Sequence, residues 1–457
     1  MKLEHKAPTR ERDYLIKPQL GYDYPVVDYG KGIYLYDAEG NQYIDGCSGA
    51  VTAGIGHGVE EIIEAMQTQA NKVSFAYRTQ FTNEAAEALA RKLSKLAPGD
   101  LNWSFFVNSG SEATETAMKL AIQHWQERGK SGKNRILSRW MSYHGITLGA
   151  LSMSGHKIRR KRFEPLLEDF PVLSAPYPYR CPFNHDDQRY ADEMESAILL
   201  IGADQIAAFI AEPIIGASGG AVTPSDGYFT LIHEVCKKYD ILFIADEVMT
   251  GMGRTGKMFA MEHWNVIPDI VALGKGMSAG YTPIAATLAT DRVMEPILNG
   301  SGVVMSGHTY SANPQSAAVS LAVLEYVERH RLVEAAAEKG DYLYRKLQQM
   351  AQRYPIVGDV RGKGLLLGME LVRDFGSKQP FPLSSNVTSM LINQAFGRGL
   401  LIYSAAGGLN GQAGDAVIVA PPLTITTEEI DRLCEILQES IHHIQQHLQS
   451  EGLVDWS

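Results

Sequence analysis

The run Ile241-Leu-Phe-Ile-Ala-Asp-Glu-Val248 places five apolar residues before two acids. An unbroken apolar run of this length reads as a strand buried on both faces, as in parallel sheets. Its acids then stand at the carboxyl edge, where open α/β sheets bind their ligands. A carboxylate there can hold a positively charged ring nitrogen or a metal ion, or it can simply cap the next turn. Similar runs recur on both sides, at 104–108, 135–139, 206–213, 270–274 and 284–289, and alternate with helical patterns such as Ser111–Glu127 and Tyr228–Tyr239. Strand and helix in alternation predict an α/β fold with a doubly wound, largely parallel sheet.

Outside this block the pattern changes. Residues 32–46, GIYLYDAEGNQYIDG, predict a hairpin turning at Ala38–Asn41. After about residue 318 the chain reads as a long helix to Arg353, a strand over 357–372, a helix through 393–399, a strand over 416–423 and a final helix. That last helix opens on the capping box Thr426-Thr-Glu-Glu429. The expected organisation is therefore a large domain, 61–325, and a small α+β domain made from both chain ends, 1–60 and 326–457.

Composition narrows the function. With 42 basic against 52 acidic side chains the formal charge is −10, whereas binders of nucleic acid or anionic membranes lean the other way. The longest apolar stretch, 197–216, is interrupted by Asp204, Gln205 and Glu212, too soon for a membrane span. Cys47, Cys181, Cys236 and Cys434 form no CxxC pair, and the charged residues 1–17 lack the apolar core of an export signal. A cytoplasmic protein is expected.

Three motifs carry chemistry. Val107-Asn-Ser-Gly-Ser-Glu112 follows a strand and opens a helix, so unpaired N–H groups and the helix dipole suit a phosphate there, with Gly110 and Ser111 nearest. Ser109 and Glu112 equally fit a capping box. Gly251-Met-Gly-Arg-Thr-Gly256 matches the dinucleotide fingerprint formally, but the acids at 246 and 247 would repel a pyrophosphate and no long helical period follows. Ala272-Leu-Gly-Lys-Gly-Met277 sets a lysine between glycines at a strand end. A solvated lysine is the ordinary outcome; a desolvated one of lowered pKa forms Schiff bases. The remaining features read plainly: the basic run His156–Arg162 as a solvated loop or one with a role near the site rather than a nucleic-acid contact, His443 and His447 as surface residues rather than metal ligands, and Arg361 as facing the site or in a salt bridge.

Taken in order, Ser109-Gly110-Ser111-Glu112, Tyr143-His144-Gly145, Glu212-Pro213, Asp246-Glu247-Val248, Gly253–Gly256, Gly274-Lys275-Gly276 and Thr309–Pro314 resemble the class III aminotransferases of fold type I, which carry pyridoxal 5'-phosphate. The resemblance spans almost the whole chain. It implies Lys275 as the Schiff-base lysine, Asp246 on the pyridine nitrogen, Val248 and Tyr143 on the two ring faces, and Glu212 at the ring's polar edge. Ser109, Gly110 and Ser111 would hold the phosphate, with His144 beside the cofactor and Thr309 reaching across from a second subunit of a homodimer with shared sites. A carboxylate beside the ring nitrogen keeps it protonated and so able to accept electrons, while the lysine, once displaced, can move the substrate proton.

Within the family the ω-amine:pyruvate group is the nearest likeness. Ala217 stands where ornithine- and 4-aminobutyrate-type members place a glutamate, and Ala50 or Val51 where this group has a bulky aromatic. The expected reaction moves an amino group from a primary amine or ω-amino acid to a 2-oxo acid, pyruvate above all. Residues 403–415 contain no arginine of the kind this group often places there for the acceptor carboxylate; Arg162, ending the basic run, and Arg78, in a segment that in the family borders the dimer-shared site, are the candidates, with a solvated or ion-paired role as the alternative for each. The rivals are an aminomutase or lyase on the same fold and, resting on the glycine motif alone, an NAD-dependent oxidoreductase.

Overall fold

Among the described residues seven strands form the central sheet, in the order Trp103–Val107, Ala285–Ala289, Ile270–Leu273, Leu242–Asp246, Ile206–Ala211, Arg135–Arg139 and Val172–Leu173. Only Ala285–Ala289 runs antiparallel to its neighbours, so the expected α/β class and largely parallel sheet hold. The structure is a computed structural model that describes residues 14–170, 172–409, 411 and 413–454. Residues 1–13 of the charged N-terminal stretch lie outside the described residues, as do Asn410 and Gln412 of the arginine-free loop. Ile206–Ala211, Leu242–Asp246 and Ile270–Leu273 are buried at every position, which is why they read as continuous apolar runs. Helix Gly110–Glu127 covers the sheet with Ala117, Leu120, Ala121 and Trp125.

Two smaller sheets flank this one. Val27–Lys31, Tyr34–Asp37 and Gln42–Asp45 form an antiparallel meander completed by Leu400–Leu401 in parallel. The predicted hairpin turn is held by Asp37, whose carboxylate accepts the N–H groups of Glu39 and Asn41. A second buried cluster joins Ile33 and Ile44 from the beginning of the chain to Leu343, Leu347, Leu437 and Ile441 near its end. The final helix, Thr427–Ser450, opens on the expected reciprocal box between Thr426 and Glu429.

Two sequence expectations need correction, and one strand is added. The helix expected to run unbroken to Arg353 is two, Pro314–Arg329 and Leu332–Arg353, because Arg331 adopts φ +50°. The single strand expected over 357–372 is a hairpin, Val357–Lys363 against Leu366–Leu371. It turns at Gly364, where φ is +55° and an added Cβ would meet the Thr255 carbonyl carbon at 2.4 Å. The two-residue edge strand Val172–Leu173 was not anticipated. Among the described residues no helix is long and apolar enough to cross a membrane.

Candidate active site

The parallel strands bring the motif residues to one edge. Asp246 ends its strand, Glu212 follows Ala211, Lys275 lies two residues beyond Leu273, and helix Gly110–Glu127 starts three residues after Val107. Strand Ala285–Ala289 pairs Ala285 with Val107 and Ala286 with Leu273, which sets the Gly110 turn next to the Lys275 turn. Together they line a cavity of about 180 Å³ with Gly110, Ser111, Tyr143, His144, Glu212, Ala217, Asp246, Val248 and Lys275 on its walls. Nine of the sequence-derived candidates thus meet in one place.

Lys275 is held in the left-handed region at φ +43°. That conformation costs a non-glycine residue roughly 1–3 kcal/mol and persists only where the surroundings impose it. Val248 explains the flanking glycines. A Cβ on Gly110 would meet its Cγ1 at 2.8 Å, and one on Gly274 would meet it at 3.3 Å. Burial pulls the Lys275 ammonium down to about 8, against the raising influence of Asp246 and Glu212 and with the help of Arg159. A free amine is therefore accessible near neutral pH, the condition a Schiff-base lysine requires.

Asp246 is buried and anchored on both oxygens. His144 Nδ1 lies 2.7 Å from Oδ2, and the Val248 N–H donates to Oδ1 at 3.1 Å. His144 is itself fixed, its N–H on Ser154 Oγ and its carbonyl accepting from Thr114. Its Nε2 is buried with no partner among the described residues. Glu212 accepts the N–H groups of Tyr143 and Gly216, each at 2.9 Å, and burial raises its pKa against the lowering effect of His144. Glu247, the second acid of the strand motif, turns away from the cavity. Its carboxylate accepts from Ala260, Met261 and Thr250, and burial lifts it to about 7. It therefore supports the short helix Ala260–Trp264, and no long helix follows the glycine motif at 251–256.

The helix start is only half capped. Ser109 Oγ accepts from the Glu112 N–H, but the Glu112 carboxylate turns to the Asn108 N–H at 2.7 Å, so the reciprocal box is not formed. The N–H groups of Gly110 and Ser111 keep no protein partner among the described residues. Ser111 Oγ accepts from the Ile146 N–H at 3.0 Å, which leaves its own proton to donate. Two N–H groups, a hydroxyl and a helix dipole suit a phosphate, a buried carboxylate suits a protonated ring nitrogen, and the lysine suits an aldehyde. The residues present fit pyridoxal phosphate.

Other candidates lie elsewhere. Thr309 is exposed and does not line its own chain's cavity. Ala50 is exposed, whereas Val51 is buried in the main core. Arg162 is exposed, and Arg78 stacks on Phe105 at 4.8 Å and donates to the Ser306 carbonyl. Arg361 is structural, pairing with Glu370 and Asp359 at 2.7 Å each and with the carbonyls of Gly219 and Gly220. His443 and His447 are exposed, and no cluster suited to a metal ion occurs among the described residues. All four cysteines are free. The basic run is not a solvated loop throughout. Residues Lys157–Arg160 form a short helix, on which Arg160 is tied to the carbonyls of Leu151, Ser152 and Ser154, and Arg159 lies over the Tyr143 ring at 4.5 Å. Sequence reasoning missed Arg159. Its only signal was membership of a basic run.

Comparison with known proteins agrees with this geometry. The family model for class III aminotransferases matches residues 21–441. The uncharacterized aminotransferase YodT of Bacillus subtilis is 53% identical, over 96% of this chain and 99% of its own. The putrescine–pyruvate aminotransferase of Pseudomonas aeruginosa is 32% identical, over 95% and 96%. The crystal structure of an ω-transaminase from Pseudomonas jessenii in complex with PMP superposes with a TM-score of 0.89 at 35% identity, over 93% of this chain and 94% of that one.

Proposed function

The chain belongs to the class III aminotransferase family, and on that premise we propose that it moves an amino group from a primary amine or ω-amino acid to a 2-oxo acid, with pyruvate as acceptor, by a ping-pong sequence. The family makes it a fold-type-I, pyridoxal-phosphate-dependent transaminase. The convergence of Lys275, Asp246 and the open helix start on one buried cavity carries the residue assignment. When bound, the cofactor supplies the electron sink for the carbanion at the amine-bearing carbon. Asp246, oriented by His144 and the Val248 N–H, holds negative charge at the ring nitrogen. Lys275 would hold the cofactor through its amine and, when that amine is free, could take the proton from the amine-bearing carbon of the substrate and return it. Gly110 and Ser111 hold the phosphate, with Ser109 capping the helix that presents them. Val248, Tyr143 and Glu212 line the cavity, where the first two would wall the ring of the bound cofactor and Glu212 would support its polar edge.

Two observations favour an amine:pyruvate reaction. Ala217 lines the cavity, so no glutamate stands there to engage an arginine, and one relative is named for pyruvate. A panel of primary amines, ω-amino acids and α-amino acids run with pyruvate and with 2-oxoglutarate tests the reading. Alanine should accumulate in step with amine consumed, and reciprocal plots at several pyruvate concentrations should be parallel. Turnover restricted to 2-oxoglutarate would exclude the acceptor, and amine conversion without any 2-oxo acid would point to the lyase or aminomutase.

The same reading makes the protein a homodimer in which Thr309 of the partner subunit completes the phosphate site, since Gly110 and Ser111 offer few donors for a dianion. Thr309 is exposed on a segment that also exposes Val303, Met305 and Tyr310, a surface suited to cover. Thr309→Ala is expected to weaken cofactor retention on dialysis by about 10-fold, roughly 1.4 kcal/mol, with the absorbance of the remaining bound cofactor unchanged. A fully active monomer in light scattering would contradict the shared site. The domain division at residues 60 and 325 belongs to this reading too. The buried cluster joining both chain ends supports it, although residue 325 lies inside helix Pro314–Arg329 and the nearest break between helices is at His330–Arg331.

A further inference from the structure

The turn that follows Glu212 is strained. Ile215 and Val222 exchange both main-chain hydrogen bonds, and between them the Gly216 carbonyl accepts from the N–H groups of Gly219 and Gly220. Gly220 and Ala221 both stand in the left-handed region, at φ +72° and +57°. That conformation is costly for alanine and persists only where the surroundings impose it. The other side of the same turn faces the cofactor cavity. Ala217 lines the cavity, the Gly216 N–H holds one oxygen of Glu212 at 2.9 Å, and Ser218 Oγ donates to the carbonyl of Met141, two residues before Tyr143. The Tyr143 N–H holds the other oxygen of Glu212. Glu212, Ala217 and Tyr143 thus take their places from this turn.

What imposes the strain comes from far along the chain. Arg361, buried on strand Val357–Lys363, donates from Nε to the Gly220 carbonyl at 2.8 Å and from Nη2 to the Gly219 carbonyl at 2.6 Å. Its third nitrogen, Nη1, is held by Asp359 and Glu370 at 2.7 Å each. Glu370 is fixed in turn by the Tyr177 hydroxyl and by Arg180 Nε at 2.6 Å. All three nitrogens are committed, so the plane of the guanidinium is set. Gly368, directly opposite Arg361 in the hairpin, completes the seat, because a Cβ there would collide with the Gly220 carbonyl oxygen. We propose that Arg361 is a positioning residue of the cofactor site: by gripping the carbonyls of Gly219 and Gly220 it keeps the 215–222 turn in its strained form and so sets Glu212, Ala217 and Tyr143 against the cofactor. Asp359 and Glu370 alone would satisfy a salt bridge within the hairpin. The two bonds to the turn do nothing for the hairpin and serve the cavity wall, whose geometry has to be held by groups behind it.

The inference rests on the reading of Glu212 and Tyr143 as cofactor-side residues, so its test includes a measurement that does not depend on them or on turnover. Arg361→Lys keeps a charge for Glu370 but offers one nitrogen where guanidinium offers three, and Arg361→Gln removes the charge. In the cofactor-loaded protein both are expected to speed main-chain amide exchange over residues 213–222 by at least about 10-fold, with exchange over 366–371 within about 2-fold of wild type. The visible ellipticity per bound cofactor, which reports the tilt of the ring in its pocket, should fall with it. Asp359→Asn, which weakens the pairing on the hairpin side alone, should leave every reading as in wild type. Unchanged exchange over 213–222 in the Arg361 variants would overturn the proposal. Equal effects in Asp359→Asn would overturn it too, because Arg361 would then be bracing the hairpin. So would a loosened turn with unaltered ellipticity. A Glu212→Gln variant with wild-type ellipticity and cofactor affinity would defeat the role read for Glu212, and the Arg361 variants would still decide the grip on the turn.

Discussion

Lys275→Ala is expected to lower turnover on the order of 10⁴-fold or more, because covalent attachment of the cofactor and proton transfer at the amine-bearing carbon are lost together. The structure explains why no neighbour should substitute. The amine sits on a left-handed residue with its pKa brought to about 8 by burial, and no other lysine among the described residues lines the cavity. The measurement is double. Borohydride should fix the cofactor to the wild-type chain and not to the variant, and single-turnover absorbance with an amine donor should show the lost rate. Activity within a few-fold of wild type would remove Lys275 from the reaction.

Asp246→Asn should keep the cofactor bound and slow the amine half-reaction by roughly 100-fold, about 3 kcal/mol. The amide preserves the shape and a contact with His144 but removes the charge that holds a proton on the ring nitrogen. The effect should be large because the carboxylate is buried, where charge is screened little. Its two oxygens are already anchored by His144 and the Val248 N–H, so rotation cannot bring another charge into place. Stopped-flow traces of the half-reaction decide it, and an unchanged rate with retained cofactor would mean that Asp246 does not face the ring nitrogen.

Not every element of the fold was legible in the sequence. The hairpin at 357–372 does carry a signal, since Gly362 near the end of its first strand and Gly364 in its turn both take positive φ; the apolar stretches on either side read as one. The break at Arg331 carried none, because arginine in the left-handed region has no compositional mark and the apolar pattern continues across it. In the site, Asp246 and Lys275 were legible because a buried strand ending in a charged residue is rare enough to notice. Arg159 was not, since it sits among four other basic residues within His156–Arg162.

What the sequence determined by itself is local. Central parallel strands are buried at every position and apolar up to their carboxyl-edge acids, so they and those acids are visible as runs and interruptions, whereas the order in which they pair and the edge strand Val172–Leu173 are not. Glycines beside Lys275 and at 110 are equally local marks, although only packing shows that Val248 is what excludes a side chain there. Tertiary structure decided everything that depends on where a long side chain ends. Arg159 and Arg162 are three residues apart, but the helix between them stops at Arg160. One guanidinium therefore reaches the Tyr143 ring, and the other points into solvent. The same holds for the two acids of the strand motif: adjacent in sequence, Asp246 and Glu247 leave an extended strand on opposite faces, so one faces the cavity and the other caps the backbone behind it.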